Sequence, residues 1–197
     1  MQHAAAEPEH HTSLGLDSRK LAMWVFLGSE CFFFGSLIST YLLYRSRSLV
    51  GPHPEDVYDI PFTSVSSFVL LMSSLTMVLA LAAIQRGQMR QLRVWLLATA
   101  LLGMTFIGGQ VYEFSIFADE GLGLGQNVFG SSFFVLTGFH GAHVSVGIIM
   151  LLALYMQSLR GKLAQAQSLN VELIGLYWHF VDIVWIVIFT VVYLIPK

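Results

Sequence analysis

The sequence predicts an all-α membrane protein: a polytopic bundle of five transmembrane helices, N-terminus inside and C-terminus outside. Three observations carry this expectation. Of 197 residues, 55% are hydrophobic and only 11% charged, at a mean hydropathy of +0.68, whereas soluble domains use roughly a quarter charged residues to cover their surface. Apolar stretches able to cross a hydrocarbon core of ~30 Å, which takes about 20 helical residues, occur five times, near 21–44, 62–85, 94–117, 129–156 and 173–195. Alternating strands of ~10 residues are absent, so helices and not a barrel must satisfy the backbone in lipid.

Residues 1–19 form a polar tail rich in His, without the short apolar core and small-residue site of a cleavable signal peptide. Residues 20–197 then form one membrane domain. The first span opens after Arg19 and Lys20, and the connection that follows it is irregular, marked by Pro52, Pro54 and Pro61 and acidic through Glu55, Asp56 and Asp59. Arg86, Arg90 and Arg93 lie between the second and third spans. The third leads into a glycine-rich turn over 118–127, which lacks the following Lys-Ser or Lys-Thr pair of a phosphate cradle. Arg160 and Lys162 separate the fourth span from the fifth.

Seven Lys and Arg thus fall on one side, against Arg45, Arg47 and Lys197 on the other, and the positive-inside rule gives the stated orientation. Loops this short leave no room for an extramembrane catalytic module, so any chemistry must sit in the bundle. A net charge of -2 offers no basic face for nucleic acid, and a single cysteine cannot build a disulfide framework. The spans differ in which polar residues they carry, so no internal repeat supports an inverted-repeat transporter.

An ionisable side chain at mid-bilayer costs at least ~2.5 kcal/mol on insertion scales and calls for a partner or a role. Six qualify: Glu30 in the first span, Glu113 in the third, His140 and His143 in the fourth, His179 and Asp182 in the fifth. His140 and His143, His179 and Asp182, and Gln110 and Glu113 are each three apart, so each pair shares a helix face and can meet a neighbour's pair. Glu113 is expected to form a structural pair with one of the histidines. Glu30, flanked by Cys31, Phe32, Phe33 and Phe34, is a candidate for proton exchange, because desolvation favours the neutral acid unless an imidazole pairs with it. The small residues Gly28, Ser29, Gly35, Ser36 and Ser39 beside Glu30, and Gly138, Gly141, Ser145 and Gly147 beside the histidines, read as seams of close helix packing.

A di-haem membrane cytochrome needs four axial histidines paired across helices, and the spans hold three. Zinc would need converging His or Cys ligands, yet the one cysteine, Cys31, has phenylalanine neighbours. No metal site is therefore expected. His3, His10 and His11 read as part of a solvated or headgroup-contacting tail.

Five stretches bring a resemblance into view: Trp-Val-Phe-Leu-Gly-Ser-Glu-Cys-Phe-Phe-Phe-Gly at 24–35, Gly-Gln-Val-Tyr-Glu-Phe at 109–114, Phe-Phe-Val-Leu-Thr-Gly-Phe-His-Gly-Ala-His-Val at 133–144, Tyr-Trp-His-Phe-Val-Asp-Ile-Val-Trp at 177–185 and Phe-Thr-Val-Val-Tyr-Leu at 189–194. In order and spacing they resemble subunit III of the haem-copper respiratory oxidases, in its short five-helix form. The resemblance implies a non-redox subunit of the cell membrane. Haem and copper would lie in partner subunits. The chain would pack on subunit I, in a complex with subunit II, and hold structural phospholipids; cytochrome c would be a substrate of the complex and not of this chain. It further implies that Glu30 is the family's carbodiimide-reactive, membrane-exposed carboxylate, and that His10 and His11 match a tail stretch associated with a lipid headgroup. The implied role is support of subunit I, by sustaining proton uptake and delaying inactivation during turnover. Glu30 is expected to bond to His140 or His143 and so to fix the cleft that holds lipid. Subunit III of a quinol oxidase is the near alternative, although Glu30 stands where that branch tends to have Asp; a freestanding membrane channel is the remote one.

Overall fold

The structure, a computed structural model, describes residues 17–45, 60–119 and 128–195. His10 and His11, and the loop acids Glu55, Asp56, Asp59 and Glu120, lie outside the described residues. Five helices form: α1 (Ser18–Arg45), α2 (Ile60–Gln85), α3 (Met89–Asp119), α4 (Val128–Leu159) and α5 (Ser168–Phe189), the last preceded by a 3₁₀ turn, Gln165–Gln167, and continued by a π-helical stretch, Thr190–Leu194. All five are long and apolar enough to cross a membrane, and no strand occurs among the described residues. One end of the bundle, the near end, carries Ser18, Gln85, Met89, Leu159 and Ser168; the far end carries Arg45, Ile60, Asp119, Val128 and Leu194.

The helices outrun the apolar stretches that predict them, because a helix continues past the hydrocarbon for as long as nothing stops it. Pro61, expected in an irregular loop, instead occupies the first turn of α2, where its missing N–H costs nothing and its fixed φ suits the helix. The near-end turns stop in the same way. Gly87 and Gly161 adopt φ of 71° and 67°, and the residues after them, Gln88 and Lys162, donate back to Ala83 and Gln157 at 2.9 and 3.0 Å. This is the left-handed glycine stop of a Schellman motif, and at Gly87 it turns α2 directly into α3.

Helix α2 packs on α3, α3 on α4 and α4 on α1, while α5 lies against α2, α4 and α1 and closes the bundle. Lipid removes the hydrophobic drive between membrane helices, so association rests on close packing and interhelical hydrogen bonds. Trp178 of α5 supplies both. Its ring is fully buried between Gly103 of α3 and Gly147 of α4, where an added Cβ would stand 2.7 Å from the indole, and its Nε1 donates to Ser73 Oγ of α2 at 2.9 Å. One side chain thereby joins four helices. Two turns on, Trp185 Nε1 donates to Ser67 Oγ at 2.9 Å.

Helix α1 differs from the rest. Only 11% of its apolar window is buried within the chain, against 33 to 44% for the other four. Its packing seam is Leu27, Phe34 and Tyr41, seven residues apart, and not the small residues expected to form it: Gly28, Ser29, Gly35, Ser36 and Ser39 all face outward. Polar contacts make up the difference at three depths. Lys20 Nζ meets Glu172 Oε1 at 2.6 Å at the near end, Glu30 meets His143 at mid-depth, and the Arg45 guanidinium donates to the Val191 and Ile195 carbonyls at the far end. The last contact serves α5 as well, since its π-helical end exposes carbonyls that a cation satisfies and that the helix dipole makes attractive to one.

Candidate functional site

Five of the six ionisable side chains inside the spans settle into three groups, and His140 stands apart. Glu30 and His143 form the first, across the α1–α4 seam, with Oε2 3.2 Å from Nε2 and only 17% and 19% of the two side chains accessible. Glu30 is thus turned into the bundle. His143 Nδ1 lies 2.7 Å from the Phe139 carbonyl one turn back, an acceptor only, so Nδ1 carries the ring hydrogen. At 3.2 Å Nε2 stands in ion-pair range of Oε2, but Oε2 makes no hydrogen bond, so the contact is one of close approach and not of hydrogen-bond alignment. Phe33 and Phe34 close over the ring, Phe34 edge-on at 4.9 Å, and Tyr177 Oη donates to the His143 carbonyl at 3.0 Å. The phenylalanines that the sequence places beside Glu30 therefore roof its partner, although Phe32 itself points out.

Glu113, expected to pair with a histidine, is engaged instead by a hydroxyl of α2 among the described residues. Its Oε1 accepts from Thr63 Oγ1 of α2 at 2.5 Å, and Tyr193 at the end of α5 lies beside both. The reason is depth. Glu113 lies six residues from the far end of α3 and His140 twelve from the far end of α4, a mismatch of about 9 Å at 1.5 Å per residue. Gln110, one turn toward the near end, spends its amide on the Thr137 carbonyl at 2.8 Å and so ties α3 to α4.

The third group lies between α2 and α5. Ser74 Oγ bonds His179 Nδ1 at 2.6 Å, near Asp182, whose two carboxylate oxygens find no hydrogen bond. Asp182 turns inward and is buried, while His179 is half-buried at the surface, so the two residues three apart straddle the edge of the buried face. His140, fully buried, joins none of the three: its ring stacks on Trp185 at 4.8 Å, with Phe106 edge-on at 5.9 Å, and its nitrogens find no hydrogen bond. Among the described residues no three His, Cys, Asp or Glu converge in a metal-holding group.

Residues absent from the sequence reading also build the site. Ser67 and Ser73 of α2 receive the two indoles, and Thr63 and Tyr193 hold Glu113. Attention to ionisable groups alone passes them over, yet a stripe of hydroxyls on one span facing tryptophans on another is the sequence signal that marks them.

Fold and polar groups together define a multi-pass membrane protein in which the Glu30–His143, Thr63–Glu113 and Ser74–His179 contacts each join two helices. The family model for cytochrome c oxidase subunit III matches residues 2–196, and the chain belongs to that family. It is 36% identical over 189 residues to cytochrome c oxidase subunit 3 of Bacillus sp. (strain PS3), covering 96% of this chain and 91% of that one. It is 37% identical to quinol oxidase subunit 3 of Bacillus spizizenii, over 88% and 85% of the two chains. With cytochrome bo(3) ubiquinol oxidase subunit 3 of Pseudomonas aeruginosa the identity is 39%, over 87% and 82%. The chain is a subunit III of a haem-copper terminal oxidase.

Proposed function

We propose that this chain is a non-redox subunit that supports the oxygen-reducing subunit I of a proton-pumping oxidase, beside subunit II, in a bacterial plasma membrane with its N-terminus inside. The observation that carries the reading is the Glu30–His143 pair. It pins the loosely packed α1 against α4 at mid-depth, where the family role would need a fixed cleft for phospholipid. A second feature supports lipid binding: a groove of about 200 Å³ between α3 and α4, walled by Ile107, Val111, Phe114, Gly138 and Ser145, has the apolar lining that suits an acyl chain. That Gly138 meets nothing within 4 Å of an added Cβ fits an open groove there and not the tight seam expected.

Haem and copper then belong to partner subunits. What supports this is the separate engagement of the spanning histidines, His143 with Glu30, His179 with Ser74 and His140 with Trp185. The electron donor is read as cytochrome c, on the strength of Glu30 in the Ser-Glu-x-Phe-Phe-Phe stretch. A quinol donor is the second reading, favoured by the relatives named quinol oxidase subunit 3. Purification through a tag on this chain in mild detergent tests both levels. A haem spectrum in the tagged fraction with oxygen uptake driven by reduced cytochrome c is the expected result; uptake driven by quinol alone would move the donor, and a colourless chain without oxidase partners would overturn the reading.

A further inference from the structure

One polar atom faces out of the bundle at mid-depth with nothing to bond. His179 lies eleven residues into α5 and fifteen before Leu194, so about 16 Å of helix separates it from the nearer end. Its Nδ1 is taken by Ser74. Nε2 has no partner among the described residues, yet it is not among the buried unpaired atoms, so it reaches the surface. Hydrocarbon offers it neither donor nor acceptor, and from this depth an imidazole is too short to snorkel to the headgroups.

Other outward hydroxyls make no such demand. Ser29, Ser36, Ser39 and Thr40 of α1, and Thr105 and Ser115 of α3, all donate to carbonyls of their own helix, so those faces suit lipid as they stand. Around His179, by contrast, Leu75 and Val78 of α2 and Ile183 and Val187 of α5 are exposed and form an apolar border about a single polar contact. Toward the far end the same face opens into a groove of about 280 Å³ walled by Ser64, Phe68, Trp185, Ile186 and Phe189, which has room for side chains of a neighbour.

We propose that this α2–α5 face docks a transmembrane helix of another subunit of the oxidase, one that presents a hydrogen-bonding side chain at mid-depth to His179 Nε2. The partner's chemistry follows from the surface: an apolar helix with a single polar group in register with the imidazole. The inference rests on the reading of the chain as an oxidase subunit.

A photocrosslinking residue placed at Ile183 or Leu75 of the intact, tagged complex tests the face, with Val111 on α3 for comparison. The docked face predicts crosslinks from 183 and 75 to one haem-complex subunit. Crosslinks to lipid alone, or to a second copy of this chain, while haem still co-purifies, would overturn the docking face and leave the subunit reading standing; absence of haem from the wild-type tagged chain would sink that reading instead. Substitution tests the polar contact. His179→Leu should speed loss of the partner subunit on detergent dilution by about 3- to 20-fold, the span of a single interhelical hydrogen bond in membranes. His179→Asn should restore most of the hold, and equal loss in both variants, or in neither, would overturn the role of Nε2.

Discussion

Glu30 and His143 lie at the same depth, each fifteen residues from the far end of its helix, or about 22 Å at 1.5 Å per residue. Two antiparallel helices brought side by side with their ends level therefore put carboxylate and imidazole opposite each other without adjustment. Because α1 buries so little apolar surface, this contact holds a larger share of its attachment than a polar pair would in a well-packed helix.

Removing one partner should hurt more than removing both. Glu30→Ala leaves His143 Nε2 against Phe33 and Phe34 with nothing to bond, and His143→Phe leaves a carboxylate there instead. Each single variant is expected to lose about 1–3 kcal/mol of stability, and the double variant clearly less than the sum. Unfolding of the four proteins in mixed micelles measures the cycle; additive losses would mean the two groups do not interact.

The Trp178 wedge makes a sharper prediction about packing. Gly147→Ala places a methyl 2.7 Å from the indole on a rigid helix, and overpacking of this kind costs about 1–3 kcal/mol. Trp178→Phe in the same chain should recover part of that loss. Gly28→Ala and Gly35→Ala, which meet nothing within 4 Å, should leave stability unchanged. Tryptophan emission and thermal midpoints of the variants check each step.

Arg45 acts on a helix other than its own. Arg45→Ala removes the donor from the Val191 and Ile195 carbonyls, so amide exchange over residues 190–195 should speed up several-fold while the core of α5 around Trp178 keeps its protection. Exchange followed by mass spectrometry reads both segments at once, and uniform change along α5 would contradict a local cap.

At the far end, Glu113 is an acceptor for Thr63. Glu113→Gln keeps an acceptor oxygen and should be tolerated, whereas Glu113→Leu removes the carboxylate acceptor from the buried Thr63 hydroxyl and should cost about 1–3 kcal/mol. Thr63→Val in the Leu background should relieve part of the loss. Thermal midpoints in detergent decide it.

Much of this was legible in the sequence, and the limits have a physical origin. Hydropathy set the five helices, because a chain in hydrocarbon has no other way to satisfy its backbone, and the cost of a charge in lipid singled out Glu30, Glu113 and Asp182 as groups needing neighbours. Which neighbour such a group meets, and whether it finds a hydrogen bond at all, as the Asp182 carboxylate does not, depends on depth and on rotation about the helix axis. Depth could be counted from the helix ends, and doing so would have taken Glu113 away from the histidines toward Thr63. Rotation could not: Gly28 and Gly35 look like a packing seam, but α1 turns Leu27, Phe34 and Tyr41 inward instead, and only the partner helices decide that. The relevance of Ser67 and Ser73 was hidden for a similar reason, since a serine in a span declares itself only when an indole stands opposite.

On the function proposed above, the Glu30–His143 contact holds α1 in place and so keeps lipid, and with it endurance, in the oxidase. Phospholipid per haem and the number of turnovers before activity is lost, measured together on the purified Glu30→Ala complex and on wild type, test it directly. Less bound phospholipid with earlier inactivation, at an unchanged initial rate of oxygen uptake, is the predicted result. Wild-type lipid content with wild-type endurance would contradict it.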